Sequence, residues 1–248
     1  MTEACPSCGA AQRPDAAFCR RCGLRLQGAP SVRPEAESNP ARRVQMLWLA
    51  LGTYGVLLVI NLASRLVDDL SFLDLRVTET VLACVGLITF ALTARWNALP
   101  VLRAFALPEN LGLRRVGIIL LGMAAGLVAA NLLDLAFPTS DATTMVAYRA
   151  EGSTLAMALL DMSVIAPLFE EVAFRGIVLG ALLGPLSRSG ALWTSSLMFA
   201  TLHLTPLTFV HHTVLGLTCG YARLKTRSII LPILIHATYN AIVVTMAW

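Results

Sequence analysis

The chain has 248 residues, 56% of them hydrophobic and 14% charged, with a formal net charge of +4. A soluble domain carries about 25% charged residues; here the mean hydropathy is +0.70, which excludes an ordinary water-soluble globule. The positive balance does not point to nucleic acid, because 18 of the 19 basic residues are arginines, the other is Lys225, and they flank apolar runs as membrane-anchoring charges do.

Residues 1–28 form a polar module that reads CPSCGAAQRPDAAFCRRCG at its centre. Cys5, Cys8, Cys19 and Cys22 make two C-x-x-C knuckles separated by ten residues. Four thiolates on two tight turns converge tetrahedrally on one Zn²⁺. Gly9 and Gly23 follow each second cysteine, where such a turn favours positive φ. So short a module cannot bury a useful core, and zinc, worth roughly 10–16 kcal/mol in finger peptides, would supply its fold. Two disulfides are the competing arrangement, which a reducing cytoplasm disfavours. The stretch resembles the zinc ribbons at the N-termini of many bacterial membrane proteins. That resemblance implies a structural Zn²⁺ with no open position, and a role in docking a protein partner or in regulation. Arg13, Arg20, Arg21 and Arg25 have few aromatic neighbours to stack bases, so nucleic acid is not the expected partner.

Residues 29–43 (APSVRPEAESNPARR) hold three prolines and mixed charge and read as a flexible linker. The leader has no small-residue cleavage site, so it does not read as a signal peptide. From 44 to 248 the chain is a transmembrane domain. Its expected spans are 44–63, 77–94, 115–137, 153–184, 190–204, 207–223 and 228–247. A bilayer admits helices or closed barrels, and no period-2 alternation is present, so the fold class is an all-α polytopic bundle preceded by a zinc ribbon. The fourth span is long enough to break into two near Pro167, giving seven or eight crossings. With seven, the clusters at Arg42 and Arg43, at Arg95 to Arg115, at Arg188 and at Arg223 to Arg227 fall on one side. The positive-inside rule then makes the zinc ribbon cytoplasmic and the protein a multi-pass protein of the cell membrane, in contact with lipid. The stretches 64–76 and 138–152 read as loops on the opposite side. Cys84 and Cys219 read as buried small hydrophobes.

Polar residues inside the apolar half carry the functional signal. An ionised group at mid-span costs about 2.5–3.5 kcal/mol, so such groups pair or face water. LFEEVAFRG places Glu171 and Arg175 four apart on one helix face, able to form an ion pair. Glu170 is rotated about 100° from Glu171 and is left to face a cavity. FATLH sets Phe199 and His203 four apart, with Pro206 to stop the helix; HATYN sets His236 and Asn240 four apart. Glutamate and histidine together hold and deprotonate a water, and histidine and asparagine donate to a developing oxyanion. The set suits amide hydrolysis. It also allows a metal held by two histidines and a carboxylate, although HExxH is absent.

EEVAFR, FATLH and HATYN, in that order, resemble the three motifs of the CAAX protease and bacteriocin-processing family (CPBP, or Abi). The stretch FVHHTVLGLTCGYARLKTRSIILPILIH is similar to that family as well. The resemblance covers about residues 155–248. It implies an intramembrane endopeptidase in which Glu170 and His203 activate water, His236 and Asn240 form the oxyanion hole, and Glu171, Arg175 and Phe199 support them. The substrate would be a membrane-associated peptide or protein. His211 and His212 lie outside the motifs, Asp134 reads as a span end, and Asp161 reads as a group that pairs within the bundle. The rival reading is a non-catalytic membrane protein, such as an immunity, chaperone-like or transport component, that uses the polar cluster for binding.

Overall fold

The structure is a computed structural model describing residues 3–5, 8–12, 40–66, 71–93, 101, 104–108, 111–137 and 140–248. The chain divides into two compact units, Met1–Arg42 and Arg43–Trp248.

In the first unit, β1 (Glu3–Ala4) and β2 (Ala11–Gln12) pair antiparallel, Glu3 opposite Gln12 and Ala4 opposite Ala11. They close a turn that carries Cys5 and Cys8. The Gly9 N–H donates to the Cys5 carbonyl at 2.9 Å, and the Cys5 N–H donates to the Ala10 carbonyl at 2.9 Å. Gly9 has φ +68°, the left-handed conformation that a residue without Cβ adopts at no steric cost. Cys19, Cys22 and Gly23, and with them the expected four-cysteine set, lie outside the described residues.

Every element of the second unit among the described residues is helical. They are α1 (Pro40–Ser64), α2 (Phe72–Thr93), α3 (Leu113–Ala136), α4 (Ser140–Ala150), α5 (155–182), α6 (Arg188–Leu202), α7 (Phe209–Thr226) and α8 (Ile230–Ala247). Among the described residues, α1, residues Leu113–Leu133 of α3, and α8 are long and apolar enough to cross a membrane. Their outward faces are apolar: Trp48, Val59, Leu121 and Leu132 are all exposed. A helix in water turns polar residues outward, whereas this surface suits hydrocarbon.

α1 starts at Pro40, earlier than the expected 44, because proline fits the first helical turn, where its missing N–H has no partner to lose. α2 likewise starts at Phe72, with Ser71 Oγ accepting the Asp74 N–H at 3.1 Å, so Arg76 is helical rather than part of a loop. α4 corrects the reading of 138–152 as a loop. Its sequence, SDATTMVAYRA, has no long apolar run; Met145 and Tyr148 are buried with Ala158 and Val244, so tertiary packing rather than local pattern holds it.

α5 does not break at Pro167. It winds on through α-helix Leu155–Leu160, π-helix Asp161–Ile165, α-helix Ala166–Glu171, π-helix Val172–Val178 and α-helix Leu179–Leu182. In the first wide turn the Ala166 N–H donates to the Asp161 carbonyl, five residues back. This register makes room for the proline ring, which would clash in a regular α-turn.

α7 sits centrally, packed by α3, α6 and α8. At Gly216 the α7 backbone lies close against that of α6: a Cβ there would lie 3.0 Å from the Ser196 Cβ and 3.1 Å from its Cα. Small residues at such crossings let helices pack by dispersion in lipid. Gly216→Ala is therefore expected to push α6 from α7 and cost about 1–3 kcal/mol by overpacking. A lower thermal midpoint of the purified chain checks this.

Candidate active site

The second helical half builds a polar interior from four helices. On α5, Glu171 and Arg175 are fully buried one turn apart, and their ion pair closes at 2.9 Å. A second arm of the guanidinium, Nη2, donates to the Gly216 carbonyl on α7 at 3.1 Å. Its plane lies over Phe199 of α6, 4.6 Å from the ring centroid. Arg175 thus ties α5, α6 and α7 together from the centre.

From α8, His236 turns its Nδ1 to the same Glu171 Oε1 at 2.9 Å. The carboxylate accepts, so Nδ1 carries the proton and Nε2 is the edge left for chemistry. That Nε2 lies 3.7 Å from Glu170 Oε2. Helix geometry has separated the two neighbouring glutamates: Glu171 is enclosed by Arg175 and His236, while the Glu170 side chain is 23% exposed.

His203 ends α6 as its capping residue, and its Nδ1 donates to the Phe199 carbonyl at 3.0 Å. Its Nε2 is left as an acceptor. The chain then reverses through Leu204, which has φ +54°, before Pro206 opens a short 3₁₀ turn. A β-carbon residue in the left-handed region is strained, and such residues cluster at functional sites. The reversal brings His212 of α7 over His203, with ring centroids 3.6 Å apart. The His212 Nδ1 donates to the Thr208 carbonyl at 2.8 Å.

Asn240, one turn beyond His236, donates from Nδ2 to the Met162 carbonyl at 2.7 Å. The wide turn at the start of α5 explains why that carbonyl is available. In its five-residue register the partner of Met162 would be the N–H of residue 167, and Pro167 has none. The asparagine amide takes the place of that missing donor.

Glu170, His203, His236 and Asn240 all line one cavity of about 300 Å³. His211 and His212 line it too, with Tyr239. Phe199 is not in the wall but beneath it, edge-on to the rings of both His203 and His236 at 5.0 and 5.6 Å. Asp134 falls in α3. Among the described residues no three histidines, cysteines or carboxylates are grouped as a metal site.

The other wall was not anticipated from the sequence. Asn61, Ser64 and Arg65 from the end of α1, and Arg76 and Glu79 from α2, face the same cavity. Arg76 Nε donates to Asp161 Oδ2 at 3.2 Å, and its Nη1 lies 3.4 Å from Glu79 Oε2. The Tyr148 hydroxyl of α4 donates to the same Asp161 oxygen, and Ser64 Oγ donates to Glu79. Burial first, and the Asp161 acceptor second, push the Tyr148 hydroxyl above its ordinary range, so it stays a donor at neutral pH. The signal that could have found this wall was Arg76 and Glu79, three apart at the head of an apolar run.

Residues 152–242 match the family described as Type II CAAX prenyl endopeptidase Rce1-like. Over 167 residues the chain is 30% identical to an Escherichia coli protein named "Uncharacterized 24.3 kDa protein", which covers 60% of this chain and 70% of that one. The chain belongs to this family. It is also 32% identical over 84 residues to the Bacillus subtilis (strain 168) protein named "Putative membrane peptidase YdiL", covering 34% of each chain. No solved structure matches it. The Rce1-like match makes the chain a membrane protein of a peptidase family, and it embraces all four polar residues of the motifs. It leaves out α1 to α4, of which α1, α2 and α4 contribute to the second wall.

Proposed function

We propose that the protein is an intramembrane endopeptidase that hydrolyses a peptide bond of a membrane-associated peptide or protein. The observation that carries this is the shared cavity, in which Glu170 and His203 present acceptors and His236 and Asn240 present nitrogen edges to one space. A water there donates one hydrogen to Glu170 and the other to His203 Nε2, which aims its lone pair at a substrate carbonyl. As the oxygen attacks, Glu170 takes the proton. His236 Nε2 lies 3.7 Å from that carboxyl, so a short side-chain movement passes the proton on. Protonated His236, held through Nδ1 by Glu171, then donates to the oxyanion beside the second Asn240 N–H. Collapse breaks the C–N bond, and the same proton returns to the leaving amine. Two carboxylates around one imidazole stabilise the cationic intermediate, and Arg175 pairs with Glu171 at 2.9 Å as their counterpart.

With seven crossings, α5 spanning once, the N-terminal unit would be cytoplasmic in a cell-membrane protein; the arginine clusters gathered on one side support this reading. Cys5 and Cys8 on their glycine-closed turn would hold a structural Zn²⁺ together with Cys19 and Cys22, and the ribbon would dock a protein partner.

The deciding experiment compares the membrane proteomes of cells carrying the wild-type chain and His203→Ala. A terminal fragment that disappears in the variant, while the variant protein still inserts, is the expected result. Identical fragment sets would favour the non-catalytic binding protein.

A further inference from the structure

The Arg76, Asp161 and Tyr148 cluster lies outside the three motifs, yet it touches the turn that holds Asn240. Asp161 is the first residue of the π-helical turn, and its own backbone carbonyl closes that turn by accepting the Ala166 N–H. The next carbonyl, Met162, is the acceptor for Asn240. The Asp161 side chain is anchored from two separate elements, by Arg76 of α2 and by Tyr148 of α4. Arg76 is itself steadied by Glu79, and Glu79 by Ser64 at the end of α1. One polar chain therefore runs from the end of α1 through α2 to the α5 backbone beneath Asn240.

We infer that Arg76 and Tyr148 are positioning residues that fix the Asp161–Ile165 turn and, through the Met162 carbonyl, aim the Asn240 amide into the cavity. The inference rests on the proposed role of Asn240 in the oxyanion hole. Its physical basis is the softness of the wide turn. Pro167 removes the donor that would lock the Met162 carbonyl along the helix, so the direction of that carbonyl is set by whatever holds Asp161. Arg76 binds Asp161 and Glu79 through different nitrogens, and a lysine ammonium cannot reproduce that fork. Tyr148 is completely buried, so its hydroxyl direction is fixed by packing. The helices α1, α2 and α4 thus complete the site rather than merely anchor it.

Two measurements on the purified full chain in lipid nanodiscs test this. Hydrogen exchange of Tyr148→Phe and Arg76→Lys needs no substrate. Faster exchange confined to residues 158–166 and 236–243 is expected, with 209–226 unchanged; unchanged exchange in the first two segments overturns the inference. The second measurement follows the fragment lost in the His203→Ala comparison. Each variant is expected to slow its release about tenfold, the size of one hydrogen bond lost to a charged group, at unchanged KM. In an Asn240→Ala background the same substitutions should add no further slowing. Losses that multiply across that cycle, or that appear only in KM, overturn it. A wild-type chain that releases no fragment sinks the proposed peptidase, while the exchange result still decides whether the cluster holds the turn.

Discussion

Glu170→Gln is expected to slow peptide release by roughly 10²–10⁴-fold while the folded protein survives. Glutamine keeps the size and one acceptor oxygen of the side chain but cannot take a proton at neutral pH, so the water at the cavity floor stays undeprotonated. The fold tolerates the change because Glu170 is not enclosed against a cation as Glu171 is: its contact with His236 is 3.7 Å, beyond hydrogen-bond reach, and the side chain is part-exposed to the cavity. Glu171→Gln, one residue along, disturbs a carboxylate that is fully enclosed. The two variants therefore separate chemistry from structure. Release rate and thermal midpoint, measured on both, check it. A Glu170→Gln protein that works at the wild-type rate would remove this carboxylate from the reaction and leave His203 to activate the water.

The helices were legible from their apolar runs: each expected span corresponds to a helix of the second unit, three of them among the described residues long and apolar enough to cross a membrane, with ends shifted at Pro40 and Ser71, where local capping chemistry decides. Four-residue spacing put Glu171 with Arg175 and His236 with Asn240, since each pair lies on a single helix face. Spacing is silent about partners on other helices. It could not place His236 between both glutamates, nor His212 against His203, because the second contact depends on a reversal through Leu204 that no residue preference announces. α4 escaped for a related reason: a polar eleven-residue segment has no periodic signature, and only the burial of Met145 and Tyr148 makes it a helix. The continuity of α5 depends on a π-turn, a backbone adjustment that a proline in sequence suggests as a break. What failed to show in the sequence is thus the set of contacts that require two distant segments.

Arg175→Leu is expected to be the most destabilising single change in the bundle, by about 3–5 kcal/mol, because it leaves the Glu171 carboxylate buried without its cation. It also removes the donor to the Gly216 carbonyl and the guanidinium that lies on Phe199, so α5, α6 and α7 lose a common tie. The sign depends on the partner left behind. In the double variant Glu171→Gln with Arg175→Met both charges go together, and most of the stability should return, since a buried pair replaced by neutral groups of like volume costs little. Glutamine Oε1 can still accept the His236 Nδ1 proton, so His236 keeps its place. Activity should not return with the fold, because the neutral amide no longer supports a proton on Nε2 of His236 when the oxyanion forms. Thermal midpoints and release rates on the single and double variants measure both effects. A double variant that regains wild-type release would show that Glu171 only holds the imidazole ring in position, and that its charge does nothing for the reaction.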